Sequence, residues 1–156
     1  MSENRFDDIM KALQYTNINS PDYKDKFFQV RQMQDEFNKH YLEKYDPSWI
    51  SVLDESMVEW LNKYGPGWMC VPCKPHPFGN EYHTIADGNH KSPILYQVES
   101  VEGKDRPRQI RKKEFYDLGG PTIGLMVRMT CNLWHTCKVV TMDSCFCVSR
   151  GIIQLH

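Results

Sequence analysis

Along the first third of the chain, apolar residues return every three or four positions. Phe6, Ile9, Met10 and Leu13 fall at i, i+3, i+4 and i+7 and predict an amphipathic helix, with Asn4 as its cap and Asp7 and Asp8 in its first turn. A polar break follows from Asn17 to Ser20. Ser20-Pro21 then predicts a second helix, serine capping and proline at the first helical position. Tyr23, Phe27, Val30, Met33, Phe37, Tyr41 and Tyr45 form its apolar stripe, which runs for about six turns and stops before Pro47. An aromatic stripe at this spacing reads as core rather than as a binding surface.

From Trp49 the period changes to two. Ile50, Val52 and Asp54 alternate with Ser51, Leu53 and Glu55, which predicts a short strand ending in two acids. Trp68 to Val71, Tyr82 to Ala86 and Ile94 to Val98 predict three more strands. The turn signals between them are Gly65-Pro66-Gly67, Gly79-Asn80 and Asp87-Gly88, and such short connections argue for antiparallel pairing. Gly119-Gly120-Pro121 opens another helix, with a buried stripe of Ile123, Met126, Val127, Thr130, Leu133, Trp134 and Cys137. A strand from Lys138 to Met142 follows and stops at Asp143, and Val148, Ile152 and Leu155 predict a closing helix. Trp49, Trp60, Trp68 and Trp134 are expected in the core rather than as base-stacking platforms. The fold class is α+β: helices, a strand meander, a helix, a strand, a helix.

A strand that returns after a helical crossover usually lies parallel in the same sheet. If the strand before Asp143 lies beside the strand before Asp54, their backbones are about 4.8 Å apart. The two acids then end on one edge, close enough to share a cation. Carboxylates in that arrangement suit Mg²⁺ or Mn²⁺, and a third carboxylate commonly completes a two-metal site. The competing reading makes Asp54 a turn cap and Asp143 the cap of the following helix.

Composition narrows this picture little. The chain has 156 residues, enough for one domain with a real core, and a net charge of -1 that predicts no general affinity for nucleic acid. Any basic surface must be local. The candidate is Lys104, Arg106, Arg108, Arg111, Lys112 and Lys113, which could contact DNA phosphates or form a solvated loop offset by Glu102, Asp105 and Glu114. No apolar run is long enough for a membrane span, and the N-terminus leads into a helix pattern rather than a signal peptide. An intracellular setting is expected, with the six cysteines reduced. Cys70-Val71-Pro72-Cys73 has the spacing of half a zinc site, with His76, His83 and His90 nearby, but no second cysteine pair follows, so zinc is not expected. Cys145 and Cys147 flank Phe146 without a base fixed beside them.

Several segments resemble the piggyBac-type transposases, in family order across nearly the whole chain. Asn4-Arg5-Phe6-Asp7-Asp8-Ile9-Met10-Lys11-Ala12-Leu13 resembles that family's entry helix. Leu53-Asp54-Glu55-Ser56-Met57 resembles its first catalytic-aspartate motif. Pro72-Cys73-Lys74-Pro75, with Gly79 following, resembles its Pro-x-Lys-Pro stretch and later glycine, and Asp143-Ser144-Cys145-Phe146 its second catalytic-aspartate motif. The resemblance implies a helical entry segment over residues 1–48 and a partial RNase H-like catalytic domain over 49–156, a truncated mixed sheet. It implies DNA cleavage and transfer with two metal ions, Asp54 and Asp143 as first and second metal ligands, and Lys74 meeting a phosphate. Transposon ends, TTAA targets and a nuclear location are implied in the same way.

The departures shape the expectation. Ser144 stands where the family has Asn, and Lys63-Tyr64-Gly65-Pro66-Gly67 replaces its usual Gly-Arg pair. The sequence ends 13 residues past Asp143 (156 − 143), short of the family's third catalytic aspartate and its cysteine-rich zinc-binding region. Weak binding of one Mg²⁺ and little or no strand transfer are therefore expected of this chain alone. The alternative is a non-catalytic DNA-binding or scaffold protein that kept the fold.

Overall fold

The computed structural model describes residues 3–12, 25–89, 91, 93–106, 108–146 and 148–149. The elements are α1 (Glu3–Ala12), α2 (Phe28–Lys44), β1 (Ile50–Glu59), β2 (Trp68–Cys70), β3 (Phe78–Asp87), β4 (Ile94–Ser100), α3 (Arg108–Lys113), α4 (Pro121–Thr130) and β5 (Val139–Met142). This is an α+β fold with a five-stranded mixed sheet.

Asn4 lies inside α1 rather than capping it, and Phe6 and Ile9 remain exposed. Leu13, the expected break at 17–20 and the Ser20-Pro21 start fall outside the described residues. At α2 the N-cap position is Phe27, with no side-chain cap, and just before it the Asp25 carboxylate accepts the Phe27 N–H at 2.9 Å and the Arg31 Nε–H at 2.9 Å. The helix ends at Lys44, before Pro47 as the proline requires. Along its stripe Phe27 is buried and Tyr41 and Tyr45 pack against the core, but Met33 is exposed. The same face of α2 serves β4. Asn38 donates to the Val98 carbonyl and accepts the Val98 N–H, both at 2.8 Å, and Gln34 accepts the Ser100 N–H at 3.1 Å. Side-chain amides thus complete a strand edge that would otherwise present unpaired backbone groups.

In the sheet, β3 is the hub. It pairs antiparallel with β1 on one side and with β2 and β4 on the other. β5 lies parallel to β1 on the far side, as a crossover through α4 dictates. Two expectations are corrected here. β1 and β3 are each ten residues long, so Asp54 lies within its strand rather than at the tip, and Gly79-Asn80 belongs to β3 rather than to a turn. The reason is Gly79 itself. It pairs with Glu59, and a Cβ there would stand 2.1 Å from the Val58 carbonyl oxygen. Only glycine lets the two backbones stay together this far.

One face of the sheet is covered. Leu53, Ile85 and Tyr96 meet Leu125, Met129 and Phe146 there, with Tyr41, Tyr45, Val140 and Met142 packed around them. At the start of β1, buried Asp87 accepts four hydrogen bonds: from Ser48 N–H (2.6 Å), Ser48 hydroxyl (2.5 Å), Tyr45 hydroxyl (2.9 Å) and Asn89 N–H (3.0 Å). Burial alone would raise its pKa, but these donors outweigh burial and hold the carboxyl far below the usual carboxylate range. The same pair pushes the Tyr45 phenol up to about 12, through burial first and the Asp87 charge second.

The α4 stripe is shorter than predicted. Ile123, Met126, Met129, Thr130 and Leu133 are buried, but the helix ends at Thr130, and Trp134 and Cys137 leave the stripe. Positive φ at His135 (61°) and Cys137 (58°) breaks the helical path and turns the chain toward β5. A π-helical turn, Glu114–Leu118, precedes α4 and has no forewarning in the pattern. The tryptophans are corrected as well: Trp49 is 61% exposed, Trp60 52% and Trp134 37%, with Trp68 half-buried. They sit at element ends, past the area that α2 and α4 cover. The closing helix is tested only in part, since Ile152 and Leu155 lie outside the described residues.

Candidate active site

Two strands bring the aspartates together. β1 and β5 pair from Ile50↔Val139 to Leu53↔Met142. Asp54 follows the last pair within β1, and Asp143 follows it just past the end of β5. The start of this register is pinned. Val139 N–H donates to the Trp49 carbonyl at 2.8 Å, and Lys138 Nζ donates to the Pro47 carbonyl at 2.6 Å and pairs with Asp46.

Alternation decides which way the acids point. Ser51 and Leu53 on β1 are buried, and Val140 and Met142 on β5 pack against the same core. The residues between them, Asp54 on β1 and Val139, Thr141 and Asp143 along β5, are exposed. Strand side chains alternate faces, so Asp54 and Asp143 share the face away from α4. Each also closes a local hydrogen bond: Asp54 accepts the Glu55 N–H at 2.8 Å, and Asp143 accepts the Ser144 N–H and its hydroxyl (2.9 Å). Asp54 thus caps no turn, since it lies within β1, while Asp143 closes the turn that follows β5. The Ser144 hydroxyl and N–H, helped by the Cys145 N–H and the charge of Lys74, hold the Asp143 carboxyl below its ordinary pKa.

Lys74 meets a second group of acids, on the α4 side of the sheet. The Val71–Lys74 turn, closed by Lys74 N–H on the Val71 carbonyl at 3.1 Å, brings its ammonium to 4.0 Å from Glu55. Burial and then the Glu55 charge raise the Glu81 carboxyl, and Lys74 opposes both. Glu55 pairs across the strands with His83, and both keep a buried atom without a hydrogen-bond partner, Oε2 and Nδ1. Burial lowers the His83 pKa, against the pull of Glu99. His83 also lies edge-on to Phe146, 5.5 Å between ring centroids. Sequence reasoning missed Glu81 and named His83 only as a possible partner of Cys70 and Cys73. The signal was there in the alternation of Glu81, His83 and Ile85 on one side of β3.

The basic run divides in two. Arg106 is turned inward, with Nη2 2.6 Å from Glu114 and Nη1 3.6 Å from Glu99, in a network that Arg128 completes through Glu99 (2.6 Å) and Glu114. Its charge is committed to the fold. Arg108, Arg111, Lys112 and Lys113 lie exposed on α3. Lys104 sits in the 3-10 turn Gly103–Asp105, with its side chain outside the described residues.

Whether a divalent cation fits can be judged from the donors. Two exposed carboxylates on adjacent strands offer hard oxygens, and Mg²⁺ commonly takes one or two carboxylates and fills its remaining positions with water. Among the described residues no group of three or more His, Cys, Asp or Glu is placed to hold a metal. The pair suits one hydrated Mg²⁺ or Mn²⁺ and supplies no full cage. Cys70, Cys73 and Cys145 are exposed free thiols, and Cys147 lies outside the described residues. Among the described residues no helix is long and apolar enough to cross a membrane.

The chain belongs to the Transposase IS4 family, which it matches over residues 1–156. Its fold is that of a piggyBac-type transposase: it superposes on the piggyBac transposase of a cryo-EM synaptic complex with hairpin DNA at a TM-score of 0.71, with 19% sequence identity. That match covers 99% of this chain and 30% of the other, so the chain spans about a third of that relative's length. No curated protein matches it in sequence.

Proposed function

We propose that the chain is a DNA-engaging piece of a piggyBac-type catalytic core, with Asp54 and Asp143 as ligands of one Mg²⁺ or Mn²⁺. The observation that supports this reading is the parallel β1–β5 register, whose last pair, Leu53↔Met142, directly precedes the two exposed acids. When bound, such an ion would polarise a phosphoryl oxygen or activate a water. The chain's own residues orient it: the Ser144 N–H and hydroxyl keep Asp143 ionised, and the β1–β3 ladder holds Asp54 in place. Transposon-end DNA, with TTAA targets in a nuclear setting, is the substrate this reading implies. The exposed Arg108, Arg111, Lys112 and Lys113 supply phosphate contacts whose strength falls with salt. Lys74 serves the acid cluster first and a phosphate when DNA is seated.

Strand transfer in this chemistry uses two ions, and this acid pair suits one. The isolated chain is therefore expected to bind Mn²⁺ weakly and leave a transposon-end duplex uncut. Isothermal titration with Mn²⁺, on the chain and on its Asp54→Ala, Asp143→Ala double variant, tests the site. Binding that survives both substitutions sinks it and favours the scaffold alternative. Clear nicking of the duplex end in Mn²⁺ would overturn the expected inactivity.

A further inference from the structure

The loop that joins β1 to β2 carries the most exposed large apolar side chains in the sheet region. Trp60 is 52% exposed, Leu61 79% and Tyr64 85%. A patch of this kind on an ordinary surface is costly and marks an interaction site. The loop is also rigidly built. Gly65 N–H donates to the Asn62 carbonyl at 2.9 Å, Trp68 Nε1–H to the Trp60 carbonyl at 2.9 Å and Asn80 Nδ2 to the Pro66 carbonyl at 2.7 Å. Beneath it Trp68 stacks on Phe78, 5.9 Å and 8° apart. The aromatic side chains are therefore presented, not waiting to collapse.

Charge says what they face. Residues 60–67 contain no acid and one cation, Lys63, whose ammonium lies 5.2 Å from the Tyr64 ring centre; the two acids that share a hollow with Lys63 and Tyr64, Glu102 and Asp105, are paired with Arg31 and Lys26. The nearest acid along the strand, Glu59, is 3.6 Å from His76. Position says the same. Even-numbered residues of β1 share a face, so Asp54, Ser56 and Val58 lie along one line, and Trp60 comes one residue past the strand's end, about 20 Å from Asp54 at strand rise. A nucleic acid whose phosphate lay at the aspartates would run along β1 to this tip.

Resting on the DNA-engaging reading above, we propose that the Trp60–Tyr64 tip is a base-stacking wedge that selects unpaired or distorted DNA over intact duplex. Aromatic faces accept any base, and exposed apolar side chains enter where stacking is already broken. Lys63 steers the backbone and adds little selectivity.

Fluorescence anisotropy with a blunt duplex and the same duplex carrying an unpaired 3′ tail tests this, alongside light scattering. The chain should prefer the tailed duplex. Trp60→Ala with Tyr64→Ala should weaken tailed binding by roughly tenfold or more and leave blunt binding within about twofold. Trp60→Phe with Tyr64→Phe should restore most of it. Lys63→Met should lower the salt slope by about one for both substrates. Equal loss on both duplexes, or no loss, overturns the wedge and leaves the DNA reading standing. Self-association that the alanine variant abolishes, with tailed binding unchanged, overturns it in favour of a protein contact. Absence of binding to either duplex overturns the wedge and the DNA reading together.

Discussion

Replacing Asp87 with asparagine should expose how the aspartate register is held. The Asp87 carboxylate is 1% exposed, and all four of its partners are donors. They join the end of α2 and the Ser48 turn to the end of β3, opposite Ser51 of β1. Asparagine keeps the shape but turns one oxygen into an NH₂ group, so two donors lose their acceptor and meet a donor instead. Each hydrogen bond to a charged group contributes about 1.5–3 kcal/mol, so losing two should cost about 3–6 kcal/mol. In urea, with a slope of about 2 kcal/mol per molar, the midpoint falls by about 2 M at constant slope. The pH dependence has a definite sign. The folded pKa of Asp87 is depressed, so its contribution is complete above the unfolded value near 4 and drains away as pH falls below it. The stability gap between parent and Asp87→Asn should therefore be constant from about pH 7 to 5 and narrow toward pH 2. Urea titrations followed by tryptophan fluorescence measure both. A midpoint within about 0.3 M of the parent, or a gap unchanged at low pH, would refute the reasoning.

Gly79→Ala should cost about 1–3 kcal/mol, because the new methyl has no room beside the Val58 carbonyl. Hydrogen exchange should speed up at the far end of β1, from Met57 to Glu59, while Ser51 to Leu53 stay protected. Leu53→Ala, at a fully buried core position, should cost about 2–5 kcal/mol by urea denaturation. Asp54→Ala, one residue on and facing out, should instead leave the thermal midpoint unchanged or slightly raised while abolishing Mn²⁺ binding. A large loss of stability in Asp54→Ala would mean that the acid serves the fold and not a cation.

The period change at Trp49, the returning strand before Asp143 and the α4 crossover were all legible, because each rests on alternation or on the handedness of a crossover. What escaped the sequence depends on contacts made elsewhere. Gly79-Asn80 reads as a turn by local chemistry, yet β1 stays paired to it and converts it to strand. Arg106 reads as one basic residue among six, but Glu99 and Glu114 come from β4 and the π-helical turn to claim it. The tryptophans were misplaced for a similar reason. Large apolar residues are expected inside, and only the lengths of α2 and α4 show that the strand ends project past their cover.

One strand therefore carries two separable duties. Inward from β1, Ser51 and Leu53 close the core with Tyr96 and Ile85, and the hydroxyl of Tyr96 reaches Ser51 at 2.8 Å. Outward from the same strand stand Asp54 and, past the end of the helical cover, Trp60. Because strand parity is fixed at two, a slip of one residue would bury the acid and expose the leucine together. The buried Asp87 cluster at one end and the Gly79 close approach along the strand both oppose that slip. Stability on one face thus holds the geometry of the other. A carboxylate pair on an open face carries the electrostatic cost of two neighbouring like charges, and that cost makes sense where a cation and a phosphate backbone arrive to offset it.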